Sequence, residues 1–180
     1  MAQTVRAYLR ANEIEFDETG PGLFSFALPG EKKLQTAVRL DVGRHAVGIH
    51  AFVCRRPDEN HERVYRWLLQ RNLKLYAVAF ALDPLGDIYL DARLPFAVVE
   101  PEELDRLLGA VLSAADESFN TLLELGFSTA IRKEWEWRNE RGEPTTNLEA
   151  FRGWLESDSG SPSESDSGGQ SDSGEGSSGR

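Results

Sequence analysis

The chain has 180 residues, with 30 acidic and 20 basic side chains, a formal net charge of −10 and a single cysteine, Cys54. That length suits one domain with an appendage, the negative charge argues against nucleic-acid binding, and one cysteine excludes an internal disulfide and a cysteine-built zinc site. The amino terminus lacks the apolar stretch of a signal peptide, and the longest apolar run, Tyr76 to Leu82, falls far short of the roughly 20 residues that span a bilayer. A soluble cytoplasmic protein that does not engage membranes is expected.

Thr4 can cap a short helix in which Val5, Tyr8 and Leu9 recur at helical spacing. Ile14 and Phe16 suggest a short strand before the breaker Gly20-Pro21-Gly22. Phe24, Phe26 and Leu28 share one face of the next strand, and Pro29-Gly30 turns the chain. Leu34, Thr36, Val38, Leu40 and Val42 then alternate with polar residues, and Val47, Ile49, Ala51 and Val53 repeat the pattern after Gly43-Arg44. These strands predict an antiparallel meander with one face in water.

The period changes at Pro57-Asp58, which opens a helix carrying Val64, Trp67 and Leu68 and ending near Asn72. Tyr76 to Leu82 is apolar on both faces, which predicts a central strand covered from both sides. The turn Asp83 to Asp87 leads to a return strand with Ile88, Leu90 and Ala92 facing inward. Pro101 starts a long helix with a wide stripe from Leu104 to Leu123, stopping at Gly126. Ser128 or Thr129 begins a further helix with Ile131, Trp135 and Trp137, and a last short one holds Leu148, Phe151, Trp154 and Leu155.

From Ser157 the chain is almost wholly Ser, Gly, Asp and Glu, with no apolar side chain to bury. Residues 157–180 are therefore expected to be a disordered acidic tail. Residues 1–156 are expected to form one domain with a helical carboxy-terminal extension.

The order of helix, three-stranded meander, helix, hairpin and long helix resembles the type III secretion chaperone-like fold, and within it the YbjN domain family. The resemblance rests on Arg55 to Asn72 (RRPDENHERVYRWLLQRN), Ala77 to Leu90 (AVAFALDPLGDIYL) and Ser118 to Phe127 (SFNTLLELGF). Ile131 to Arg138 (IRKEWEWR) is similar to the actinobacterial branch. It implies an α+β fold, a sensory transduction regulator without a defined catalytic activity, and binding of extended segments of other proteins, often as a homodimer.

No catalytic or cofactor motif stands beside that resemblance. Nothing matches GxSxG, a P-loop or GxGxxG. His50 and Cys54 read as sharing a strand face, yet about 13 Å apart along it, too far for two ligands of one zinc. Asp83, Asp87 and Asp91 lack the spacing of a calcium loop and read as a turn and a solvated strand face. An enzyme would need a cleft uniting Asp58, His61 and Tyr89. The tail's Ser-Asp alternation reads as solubilising rather than as a modification site.

Two features suit a protein partner. Arg55, Arg56, Arg63, Arg66, Arg71 and Lys74 form the densest basic region; a solvated face paired with Glu59 and Glu62 is the simpler reading, and contact with an acidic partner through Arg55, Arg56, Arg63 and Arg66 is the functional one. Trp135 and Trp137 diverge by about 200° on a helix, so one is left outside a narrow buried stripe unless the carboxy-terminal segment folds over it. The expected function is a non-catalytic, chaperone- or adaptor-like protein-binding module without cofactor or metal. The alternative is a small-ligand sensor with a pocket between sheet and helices, where Thr36 is the clearest inward polar group.

Overall fold

A computed structural model describes residues 1–158. The first helix, α1 (Ala2–Ala11), buries Val5, Tyr8 and Leu9 on one side, as their spacing dictates. Four strands follow, β1 (Phe16–Gly20), β2 (Leu23–Pro29), β3 (Gln35–Val42) and β4 (Ala46–Cys54), then helix α2 (His61–Asn72). Strands β5 (Ala79–Leu82) and β6 (Ile88–Pro95) form a hairpin, followed by the long helix α3 (Pro101–Gly126), α4 (Ser128–Arg141), a 3₁₀ segment (Thr146–Phe151) and α5 (Arg152–Asp158).

The strands make one antiparallel sheet in the order β1-β2-β3-β4-β6-β5. Its register aligns Phe26, Val38, Ala51, Leu90 and Phe80 across five strands. All five are buried, and α3 lies over this face, packed against α1 and α2. The neighbouring row, Ser25, Arg39, His50, Asp91 and Ala79, aligns equally well on the opposite face. Period-two alternation thus builds a sheet with one apolar face under helices and one polar face left open.

The α+β class, the meander and the later hairpin are as the spacing predicts, with three differences of detail. The meander has four strands, because Gly20-Pro21-Gly22 turns β1 directly onto β2. The segment read as a two-sided central strand is instead the sheet edge: β5 begins only at Ala79, Ala77 sits at φ 58°, and Tyr76 is 62% exposed. A β-bulge between Phe52 and Cys54 turns Cys54 into the core, so it does not share the open face with His50. The acidic tail lies, from residue 159, outside the described residues.

Candidate protein-binding surfaces

Helix α2 enters through a tight joint. The backbone N–H groups of Asp58 and Glu59 both donate to the Gly126 carbonyl, at 2.9 and 3.2 Å. A Cβ at Gly126 would stand 2.9 Å from Pro57 Cβ, so only glycine permits this approach. Glu59 accepts from the Thr129 N–H (2.6 Å), the Thr129 hydroxyl (2.9 Å) and the Ser128 hydroxyl (3.0 Å). These bonds hold the Glu59 carboxylate below its ordinary pKa and fix the start of α4 beside that of α2.

The far end of α2 is different. Val64 and Leu68 turn inward, while Leu69 and Leu73, one turn apart, are 68% and 88% exposed. Tyr76, in the segment that leads to β5, is 62% exposed. Asn72 clamps that edge strand: Phe80 N–H donates to Asn72 Oδ1 at 2.7 Å, and Asn72 Nδ2 donates to the Phe80 carbonyl at 3.2 Å. The side chain occupies the place of another strand at that position and blocks strand pairing there.

The expected site residues fall on separate elements. Arg55 pairs with Asp58 at 2.5 and 2.7 Å and lies over the Phe127 ring at 4.5 Å. Arg56 is exposed, its N–H bound to Asp87 at 2.7 Å. Arg63 and Arg66 are exposed on α2, Arg66 paired with Glu62 at 2.7 Å. On α4, Trp135 packs against the core, whereas Trp137 is 40% exposed with Arg141 stacked on its ring at 4.8 Å. Leu148, Phe151 and Leu155 are buried, and Trp154 lies under Arg132 at 5.3 Å. The folded-back segment therefore packs into the core, and Trp137 stays at the surface. No hydrogen bond or ring contact joins the tryptophans to the arginine cluster among the described residues.

The open sheet face holds features that spacing did not single out. Across β4 and β6, His50 Nδ1 lies 2.5 Å from Asp91 Oδ1, and Phe52 meets Tyr89 edge-on at 5.4 Å. With Arg39, Ala81 and Asp83 they line a shallow concavity of about 600 Å³. Only strand register brings these residues together, which is why no local motif announced them. Tyr89 belongs to this concavity and His61 to a depression at the start of α2, so the two are not in one cleft. Thr36 is fully buried on the helix-covered face, its hydroxyl without a hydrogen-bond partner among the described residues.

The sequence profile of the YbjN family, described as "Putative bacterial sensory transduction regulator", matches residues 2–124. The chain belongs to the YbjN family. The Mycobacterium leprae protein ML2442 is 53% identical over 139 residues, covering 76% of each chain. A chain of the heterodimeric ExoU–SpcU complex from the Pseudomonas aeruginosa type III secretion system superposes on the YbjN domain with a TM-score of 0.50. The identity is 18%, covering 68% of this chain and 97% of that one. A chain of the ExsC–ExsE complex gives a TM-score of 0.51 at 21% identity, covering 68% and 96%. At such identities the likeness is one of fold, and the fold is type III secretion chaperone-like. Among the described residues, no helix is long and apolar enough to cross a membrane.

Proposed function

We propose that this chain is a non-catalytic, cytoplasmic protein-binding module, chaperone- or adaptor-like, that works as a homodimer in a regulatory role. One observation carries the reading: three large apolar side chains, Leu69, Leu73 and Tyr76, are exposed at and just beyond the end of α2, which leads to an edge strand already clamped by Asn72. Apolar surface of this kind is stabilised by covering it, and a second copy offers the same side chains in return. Arg66 lies on the same side of α2 as Leu69 and Leu73, with Arg63 flanking it, and both form a charged rim that sets register. Solved complexes of the same fold support a protein as the ligand.

The target protein has its own contacts in this reading. Trp137 with Arg141 is the aromatic anchor, while Trp135, packed against the core, holds α4 in place and Arg55 is engaged within the chain. Arg56 adds a peripheral charge. The test is recovery of partners from native lysate with wild type, Trp137→Ala and the double variant Leu69→Asp, Leu73→Asp, each checked for folding by circular dichroism. A stoichiometric partner retained by wild type and lost by folded Trp137→Ala supports the reading. Equal recovery by all three contradicts it.

A second reading, a small-ligand sensor, is favoured by one observation: Arg39, His50, Asp91 and Tyr89 converge on the open-face concavity. It places the ligand outside the helix-covered interface where the inward polar group Thr36 sits.

A further inference from the structure

A different feature stands where the matched domain meets its carboxy-terminal extension. The loop between β2 and β3 is held by one atom: Asp116 Oδ1 on α3 accepts the N–H groups of Glu31, Lys32 and Lys33, at 2.8, 2.8 and 3.0 Å. A Cβ at Gly30 would lie 2.5 Å from the Lys33 carbonyl and 2.6 Å from that carboxylate oxygen, so the loop closes this tightly only with glycine. The clamp fixes Lys33, whose Nζ sits 5.5 Å from the centre of the Phe52 ring and 5.2 Å from that of Phe119.

Lys33 forms one wall of a shallow, open groove of about 410 Å³. Leu123, Phe127, Ile131 and Leu148 line the rest, the last three outside the matched residues 2–124. The other charged groups there are committed: Arg55 to Asp58, and Glu134 to Arg138 at 2.6 Å. Lys33 has no ion-pair partner among the described residues. Burial pushes its ammonium below the ordinary lysine range, the mark of a partly desolvated cation lacking a countercharge.

We propose that this groove binds a small amphiphilic carboxylate, with the carboxylate on Lys33 Nζ and the apolar body along Phe119, Leu123, Phe127 and Ile131. One point-charge cation among apolar walls suits a single negative charge; a phosphate would call for several convergent donors. The chain's own tail is a poor occupant, because residues 159–180 have no apolar side chain to lay along the walls. The site is independent of the protein-binding reading.

Decanoate is the probe, titrated into the full chain by calorimetry well below its micellar range, with decanol as the uncharged control. Saturable one-to-one binding is expected, weakened about tenfold by Lys33→Met, which keeps the aliphatic stem. Decanol should bind wild type and variant alike, and more weakly than decanoate binds wild type. Amine-reactive labelling of the wild type, read by mass spectrometry, gives a measure that does not depend on the variant folding. Decanoate should protect Lys33 and leave the exposed Lys74 unchanged. Absence of saturable binding, equal binding of decanoate and decanol, or labelling of Lys33 that decanoate does not slow would each overturn the proposal.

Discussion

Asp116 shows how one carboxylate orders a loop, because three donors converge on a single oxygen with no room for a side chain at Gly30. Gly30→Ala is expected to cost about 1–3 kcal/mol in chemical unfolding, since backbone and carboxylate must both yield. Gly109, exposed within α3 with nothing within 4 Å of its virtual Cβ, is the control: Gly109→Ala should stabilise by about 0.5–1 kcal/mol. Glu59 gives a pH signature. Its pKa is lowered in the folded state by the Thr129 and Ser128 donors, so its contribution is present above the unfolded carboxylate pKa of about 4.3 and is lost as pH falls below it. Melting curves recorded from pH 6 down to about 3 should show a smaller acid-induced drop for Glu59→Gln than for wild type. An equal drop would mean that the bonds to Glu59 do not differ between folded and unfolded states. Cys54 is buried with its thiol pushed up to about 11, so disulfide-exchange reagents should modify it slowly until the protein is unfolded.

At the scale of elements, α4 separates two tryptophans that sequence could only set apart by angle. Trp135→Ala should lower stability by about 2–3 kcal/mol through lost packing, and Trp137→Ala by under about 1, with thermal unfolding as the measure. Alternation made β2, β3 and β4 legible, because each has one buried and one wet face, and the stripe from Leu104 to Leu123 made α3 legible. Tyr76 to Leu82 is apolar on both sides, a pattern that does not tell a central strand from an edge leaning on a helix. The bulge after Phe52 leaves no mark in composition, so spacing alone puts Cys54 on the strand face of His50. The Asp116 clamp spans 83 to 85 residues and the open-face row spans five strands, both beyond the reach of local spacing. The arginine cluster is visible as a run, yet Arg55 is paired with Asp58, Arg56 stands before α2 with its N–H on Asp87, and Arg63 and Arg66 lie on the open side of α2.

At the scale of the whole molecule, the described residues form a sheet with one face under helices, an open face, and an apolar end of α2 that no described residue covers. Dimerisation through that end would leave the Trp137 surface, the open face and the Lys33 groove as separate places for partner or ligand. The dimer is the central claim of the protein-binding reading, and sedimentation velocity of the full chain tests it most directly. Wild type should sediment at twice the 20.1 kDa chain mass, and Leu69→Asp with Leu73→Asp, still folded, at the chain mass itself. A wild type that stays at 20.1 kDa across the concentration range, or a double variant that remains dimeric, would contradict it.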